Sequence, residues 1–325
     1  MCSSMSRLCR RGRPLGWCLA GFFCYFWRAV SAIPCPSFPG KLFPRRYHMK
    51  SRRILSILAA FASWSAVQAQ EELLHYSFND PNLQTTTAAD AGPDGHGLTM
   101  YSADGEPAAL QTGPGVSGKE GDHAFNNSGA TGMGRNGQGG WAETAIQGEG
   151  TIWQRGLTSF TVTGWFQPTE SQPSDTARIV YIQPSLEGNA LTVWAVGGGR
   201  LELRIDKQKD GGQSEPVFGR KPGEWNFFAV TFDATKGSDN VRYYAGTESS
   251  SVREVGEGTL AIERWTPARG GSRTPIFVIG SGGREIQRPF QGHMDEIRFF
   301  GAEAGSDGAF DQEKLEEIRS EALAR

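Results

Sequence analysis

From residue 159 onward apolar and polar positions alternate in short runs, and Gly, Asp, Asn, Ser and Pro separate the runs. A period of two puts successive side chains on opposite faces of a strand. The pattern predicts strands at 159–168, 178–183, 191–196, 201–206, 225–233, 241–245, 276–279 and 290–300. A first strand is predicted at 73–78, with weaker ones at 98–101 and 123–125. The clearest run has Leu201, Leu203 and Ile205 on one face and Glu202, Arg204 and Asp206 on the other. At the C-terminal end the period changes. Asp311 can cap a helix whose apolar stripe is Leu315, Ile318 and Leu323. There is no heptad or long repeat. The expected fold is all-β, a two-sheet antiparallel sandwich with a short C-terminal helix.

The run at 290–300 carries an unusual polar residue. His293, Asp295, Ile297 and Phe299 share one parity, and Glu296 and Arg298 share the other. Glu296 and Arg298 suit a solvated face. Asp295 is then expected to point with Ile297 and Phe299 into a core. A carboxylate there requires hydrogen-bond donors or a cation.

Charge and cysteine usage divide the chain near position 69. Residues 1–69 hold eleven Lys or Arg and no Asp or Glu, so the rest of the chain has a net charge of −13. All five cysteines (Cys2, Cys9, Cys18, Cys24 and Cys35) lie upstream of residue 49. The downstream part therefore has no disulfide framework and no cysteine chemistry. Its acidity argues against nucleic acid or an anionic membrane as partner. Residues 49–69 read as an export signal. Lys50, Arg52 and Arg53 precede an apolar stretch, and small residues at 67–69 predict cleavage before Gln70. Residues 1–48 read as an extension upstream of the true start at Met49. The expected organisation is 1–48 extension, 49–69 signal peptide, 70–310 sandwich and 311–325 terminal helix. The expected location is outside the cell or in the cell envelope, with no transmembrane segment in the mature chain.

Five segments, in order, resemble the laminin-G-like, concanavalin A-like lectin/glucanase jelly rolls. They are Leu73-Leu-His-Tyr-Ser-Phe78, Ser159-Phe-Thr-Val-Thr-Gly-Trp-Phe-Gln-Pro168, Glu224-Trp-Asn-Phe-Phe-Ala-Val-Thr-Phe-Asp233, Pro275-Ile-Phe-Val-Ile-Gly280 and Phe290-Gln-Gly-His-Met-Asp-Glu-Ile-Arg-Phe-Phe300. The resemblance implies a jelly roll. It also implies a structural Ca²⁺ near the opening and closing strands, with Asp80, Asp90 and Asp295 as its ligands. Calcium takes six to eight oxygens from carboxylates, carbonyls and water.

The candidate ligand-binding residues are Trp141, Trp153 and Trp265, because their Gly-, Thr- or Pro-flanked segments suit exposed loops where an aromatic face can meet a sugar. Trp165, Trp194 and Trp225 lie inside strands and are assigned to the core. A glucanase-type acid pair is not found. The nearest match, Glu202 and Asp206, would be about 13 Å apart on one straight strand, beyond the roughly 5–9.5 Å of glycosidase pairs. The expected function is non-catalytic recognition of a glycan or an extracellular protein. A polysaccharide-active enzyme on the same scaffold, or an adhesive envelope protein with no small ligand, are the alternatives.

Overall fold

The computed structural model describes residues 70–325, apart from 132–136, 147–149, 170–175, 207–210, 218–221, 269–272 and 284–287. The chain divides into two units, Met1–Ser63 and Trp64–Arg325, and every described residue belongs to the second. The expected signal at 49–69 and the extension at 1–48 lie outside the described residues.

In chain order the strands are β1 (Glu71–Tyr76), β2 (Thr87–Ala88), β3 (Leu98–Tyr101), β4 (Gln111–Thr112), β5 (Ala124–Asn126), β6 (Trp141–Ala145), β7 (Ser159–Pro168), β8 (Ala177–Gln183), β9 (Leu191–Val196), β10 (Arg200–Ile205), β11 (Asn226–Asp233), β12 (Val241–Thr247), β13 (Arg253–Gly258), β14 (Ile276–Ile279) and β15 (Gly292–Ala302). A short helix α1 (Ile152–Arg155) precedes β7, and α2 (Gln312–Ala324) follows β15. One sheet runs β13-β12-β11-β7-β15-β5-β4, with β1 also paired to β15. The other runs β10-β9-β8-β14-β6-β3-β2. The structure is thus the two-sheet antiparallel jelly-roll sandwich with the short C-terminal helix that the pattern predicts.

Alternating residues of both sheets fill the space between them. Phe160, Val162 and Phe166 of β7 and Phe228, Val230 and Phe232 of β11 meet Leu191 and Val193 of β9, Leu201 and Leu203 of β10, and Phe277 of β14. The open edges β10 and β13 are both bonded by the 211–217 segment. Ser214 N donates to Leu201 O at 3.0 Å and Glu215 N to Val255 O at 2.6 Å. Edge strands left bare are templates for aggregation, so this cover matters. Tyr243 Oη of β12 accepts from Leu203 N of β10 at 2.9 Å, joining the sheets directly.

A second apolar cluster lies on the outer face of the larger sheet. Leu315, Ile318 and Ala322 of α2, with Phe310 before it, cover Trp165, Trp225, Phe227, Phe300 and Val116. Asp311 caps the helix by accepting from Lys314 N at 2.9 Å.

The closing strand departs from simple alternation. Met294 pairs with Phe166 and Asp295 with Trp165, but Arg298 then pairs with Thr163, so β15 carries a bulge between Asp295 and Arg298. Glu296, in the bulge, has φ 49°, a left-handed conformation uncommon for non-glycine residues. Gly164 sits opposite; a Cβ there would lie 2.4 Å from Ile297 Cδ1. The bulge resets the parity. Met294, Ile297 and Phe299 face the inter-sheet core, whereas Asp295 pairs with Trp165, whose side chain lies in the outer cluster. The expectation that Asp295 shares a face with Ile297 and Phe299 is therefore corrected. Its burial comes from the 115–122 loop laid over it.

Glu296 and Arg298 are not solvated either: both are buried, because α2 packs over them. The Glu296 carboxylate accepts from His75 Nε2 at 2.8 Å, Arg325 Nη1 at 3.0 Å and Arg298 Nη2 at 3.1 Å. Glu321 of α2 accepts from Arg325 at 2.7 Å and Arg298 at 3.3 Å. The network joins β1, β15 and the end of α2. Truncation of Glu296 to Ala strands buried cations and is expected to cost about 3–5 kcal/mol in denaturant unfolding; a change near zero would show the network to be decorative. Acid should act at the same place. Hydrogen bonds from Arg325 and Arg298 pull Glu321 down to about 2. Burial raises Glu296, but the His75, Arg298 and Arg325 groups outweigh it and leave its pKa lowered. Both shifts are downward, so this stabilisation is complete above the usual glutamate value of 4.5 and is lost as pH falls toward about 2.

Candidate functional site

The outward face of β8, β9 and β10 carries a charged, aromatic pocket. Leu191, Val193 and Ala195 of β9 point into the core, so Thr192 and Trp194 point out. Cross-strand register then builds two rows. Arg178, Trp194 and Glu202 lie side by side, as do Tyr181, Thr192 and Arg204. A bulge between Arg178 and Val180 brings Arg178 and Tyr181 to the same side although they are three residues apart. Arg178, Tyr181, Thr192, Trp194 and Arg204, with Ala190 and Asp206, line a cavity of about 430 Å³, within the range of small-molecule sites.

Guanidinium groups surround the indole. The Cζ atoms of Arg178, Arg204 and Arg288 lie 4.8, 5.2 and 5.4 Å from the Trp194 ring centroid, and Arg178 is 4.3 Å from that of Tyr181. Each such contact is worth about 0.5–2 kcal/mol, more when desolvated. Trp194 is only 6 % exposed and Arg178 8 %. Burial draws the Arg178 guanidinium down to about 10, with Tyr181 opposing and Arg288 adding to the fall. Arg178 therefore remains a cation at neutral pH. The two acids at the pocket are engaged. Glu202 accepts from Arg204 Nε and from Gln213 Nε2, the latter at 2.8 Å. Asp206 accepts from Ala190 N at 2.8 Å and from Asn189 Nδ2. The indole N–H of Trp194 is buried and has no acceptor among the described residues.

The expected ligand-binding tryptophans are elsewhere and are covered. Trp153 and Trp265 are fully buried, meet edge to face at 6.3 Å and both pack on Phe299. Trp141 is also buried, stacks on Tyr101 at 5.3 Å and donates its Nε1–H to Glu143 at 2.9 Å. None of the three offers a ring face to a ligand, so the expectation of exposed loop tryptophans is corrected. Their segments look loop-like in sequence, yet Trp141 begins β6, Trp153 lies on α1 and Trp265 is bridged to Leu157. Trp194, expected to be buried, is buried, but on the outer face of its sheet under Arg178, Arg204 and Arg288 rather than between the sheets. The signal was available in the alternation of β9, with Leu191, Val193 and Ala195 set against Thr192 and Trp194.

The expected metal ligands take separate roles. Asp80 caps a turn, accepting from Asn82 N at 2.8 Å. Asp90 accepts from His75 N, Gly92 N and His96 N at 2.8–2.9 Å and so braces the turn after β1. Asp295 is fully buried and accepts from Val116 N at 2.9 Å and Glu296 N at 2.7 Å. Its close carboxylate neighbour is Asp122, which sequence reading missed. A Cβ on Gly115 would lie 2.7 Å from Oδ2 of both Asp122 and Asp295. Burial first, then the charges of Glu296 and Asp122, push Asp295 well above the usual carboxylate range. Among the described residues no group of three or more His, Cys, Asp or Glu side chains is placed to hold a metal.

Residues 138–307 match the laminin-G-type family of the concanavalin A-like lectin/glucanases superfamily, a span of more than half the chain. The chain belongs to this superfamily. No curated protein matches it in sequence. Solved structures of similar fold include domain 4 of an extracellular GH43 arabinanase from Geobacillus stearothermophilus, at 17 % identity and a TM-score of 0.47, covering 77 % of this chain and 98 % of that one. Another is the CBM40 of the Ruminococcus gnavus IT-sialidase, at 9 % identity and 0.37, covering 50 % and 83 %. A third is the binding domain of botulinum neurotoxin DC, at 12 % identity and 0.43, covering 78 % and 52 %. At these identities the likeness concerns the lectin/glucanase sandwich alone.

The tryptophan assignment is testable by truncation. Trp153→Ala should destabilise the sandwich by about 3–5 kcal/mol in denaturant melts. A folded Trp153→Ala protein of unchanged stability would mean that the ring is not core.

Proposed function

We propose that this superfamily member is an exported, non-catalytic module that recognises a carbohydrate through the outward face of β8, β9 and β10. The observation that carries the reading is the pocket around Trp194. It combines an aromatic floor, three cations and the polar groups of Tyr181, Thr192 and Asp206 at a preformed cavity. Such a site can hold ligand hydroxyls and charged groups in fixed directions. Its acids, Glu202 and Asp206, are tied to protein donors, which suits binding rather than proton transfer. Export rests on the 49–69 signal pattern. No helix among the described residues is long and apolar enough to cross a membrane. A glycan array probed with the protein is expected to give saturable binding to a defined group of sugars without release of reducing ends. Turnover of a bound polysaccharide would overturn the non-catalytic reading, and binding only to proteins would overturn the carbohydrate reading.

A structural calcium ion belongs to the same reading. The Asp122 and Asp295 carboxylates close on Gly115, where a Cβ would lie 2.7 Å from Oδ2 of each, and such a pair suits an oxygen-liganded cation. Asp122 and Asp295 would hold it, with backbone carbonyls and water completing the shell. When bound, the ion would neutralise the pair and pin the 115–122 loop to β15. The Asp295 shift gives the test its sign. A carboxyl raised in the folded state contributes stability below its unfolded value and loses it as pH rises toward the folded value. In chelator, the melting temperature should therefore fall as pH is raised above about 4. Calcium should raise the melting temperature and flatten that slope. Identical melts with calcium and chelator, together with no metal by elemental analysis, would contradict the calcium proposal.

A further inference from the structure

The Trp194 pocket occupies three strands of a seven-stranded sheet, and register carries its floor further. Tyr181 pairs with Val278 of β14, Val278 with Glu143 of β6, and Glu143 with Thr99 of β3. Arg204, Thr192, Tyr181, Val278, Glu143 and Thr99 therefore stand in one row across six neighbouring strands. Their neighbours along each strand, among them Leu203, Val193, Ile182, Phe277, Ala142 and Leu98, face the core, so the row points outward. A second row lies beside it. Gln183 pairs with Ile276 and Ile276 with Ala145, and the row meets the pocket at Ala190. From Arg204 to Glu143 is four strand spacings, about 19 Å.

This strip is reached by solvent where the outer face of the larger sheet is sealed by α2. Tyr181, Gln183, Ile276, Glu143 and Thr99 are all partly exposed. Val278 is buried between its larger neighbours. The turn after β14 runs along one side as a wall: a Cβ on Gly283 would stand 3.5 Å from Glu143 Oε2 and 4.0 Å from Val278 Cγ2. Glu143 is held in place by the Trp141 Nε1–H at 2.9 Å. A carboxylate accepts several hydrogen bonds, so Glu143 can take ligand hydroxyls as well. Sugars present hydroxyls at their edges and C–H groups on their faces. The Gln183 amide and Glu143 carboxylate suit the first, and the Tyr181 ring and Ile276 suit the second. The strip is continuous with the pocket and far longer than one sugar ring. We infer that the site takes a linear polysaccharide chain laid across the strands, from the Trp194 pocket over Tyr181 and Gln183 to Glu143. The inference rests on the carbohydrate reading above and fixes the ligand class as an extended chain.

Isothermal titration of the whole protein tests this with the disaccharides and hexasaccharides of cellulose, xylan, mannan, laminarin and polygalacturonate. In the series that responds, the hexasaccharide is expected to bind at least tenfold more tightly than the disaccharide. Two substitutions at the far end of the strip read its use. Gln183→Ala removes a partly exposed amide at the end of β8. Glu143→Gln keeps an acceptor for Trp141 and removes the charge. Each should weaken hexasaccharide binding about two- to tenfold and leave disaccharide binding unchanged, a split that a general loss of folding would not give. Disaccharides that bind as tightly as hexasaccharides, or hexasaccharide binding indifferent to both substitutions, would overturn the extended-chain inference while leaving a carbohydrate pocket at Trp194. Silence toward every probe from the folded protein would overturn both readings.

Discussion

The bulge in the closing strand is the constraint on which much of the larger sheet depends. β15 lies between β7 and β5 and also pairs with β1. One extra residue in it turns two adjacent acids, Asp295 and Glu296, to the same outer side. Each then needs a different remedy for burial. Glu296 is met by His75, Arg298 and Arg325. Among the described residues Asp295 accepts from backbone donors only, and it lies against a second acid, Asp122. A buried charge without compensation costs several kcal/mol, roughly. The two sites therefore impose opposite pH dependences on one strand: the Glu296 network weakens in acid, and the Asp295 pair weakens as pH rises.

The same physics explains the smaller sheet's outer face. Arginines are rarely buried unless stacked or paired. Here Arg178 is stacked between Tyr181 and Trp194, and Arg204 combines a stack with a bond to Glu202. The strands hold these side chains on a rigid surface, so little ordering remains to be done when a ligand arrives. Arg178, Tyr181, Thr192, Trp194 and Arg204 stand on strands, so register places them, while Asp206 and Arg288 join from the adjoining segments.

Much of the sandwich was legible in the sequence because period-two alternation reports burial directly. Leu201, Leu203 and Ile205 face the core as their alternation predicts, and Asp311 caps α2. Period two fails where a strand is irregular or where its outer face is covered. The bulge at Asp295–Arg298 moved Asp295 to the other side of the sheet, and α2 buried Glu296 and Arg298 on a face that looked solvated. Glycine- and proline-rich flanks suggested exposure for Trp141, Trp153 and Trp265, yet large rings on short elements still found the core. The Trp194 pocket was hidden for two reasons. A second bulge masks the kinship of Arg178 and Tyr181, and Arg288 comes from the distant segment before β15. The Asp122–Asp295 contact joins residues remote in sequence and leaves no periodic trace.

The central claim is that Trp194, on the outward face, is the recognition floor, and its indole N–H reports on that directly. In a titration with a sugar selected on the glycan array, followed by ¹H–¹⁵N correlation spectra, the Trp194 indole resonance, assigned by its loss in Trp194→Phe, is predicted to shift in proportion to binding. Those of Trp141, Trp153 and Trp265 are predicted to stay in place. A Trp194 signal that does not move while ligand binds, or shifts centred on one of the three buried tryptophans, would contradict the account.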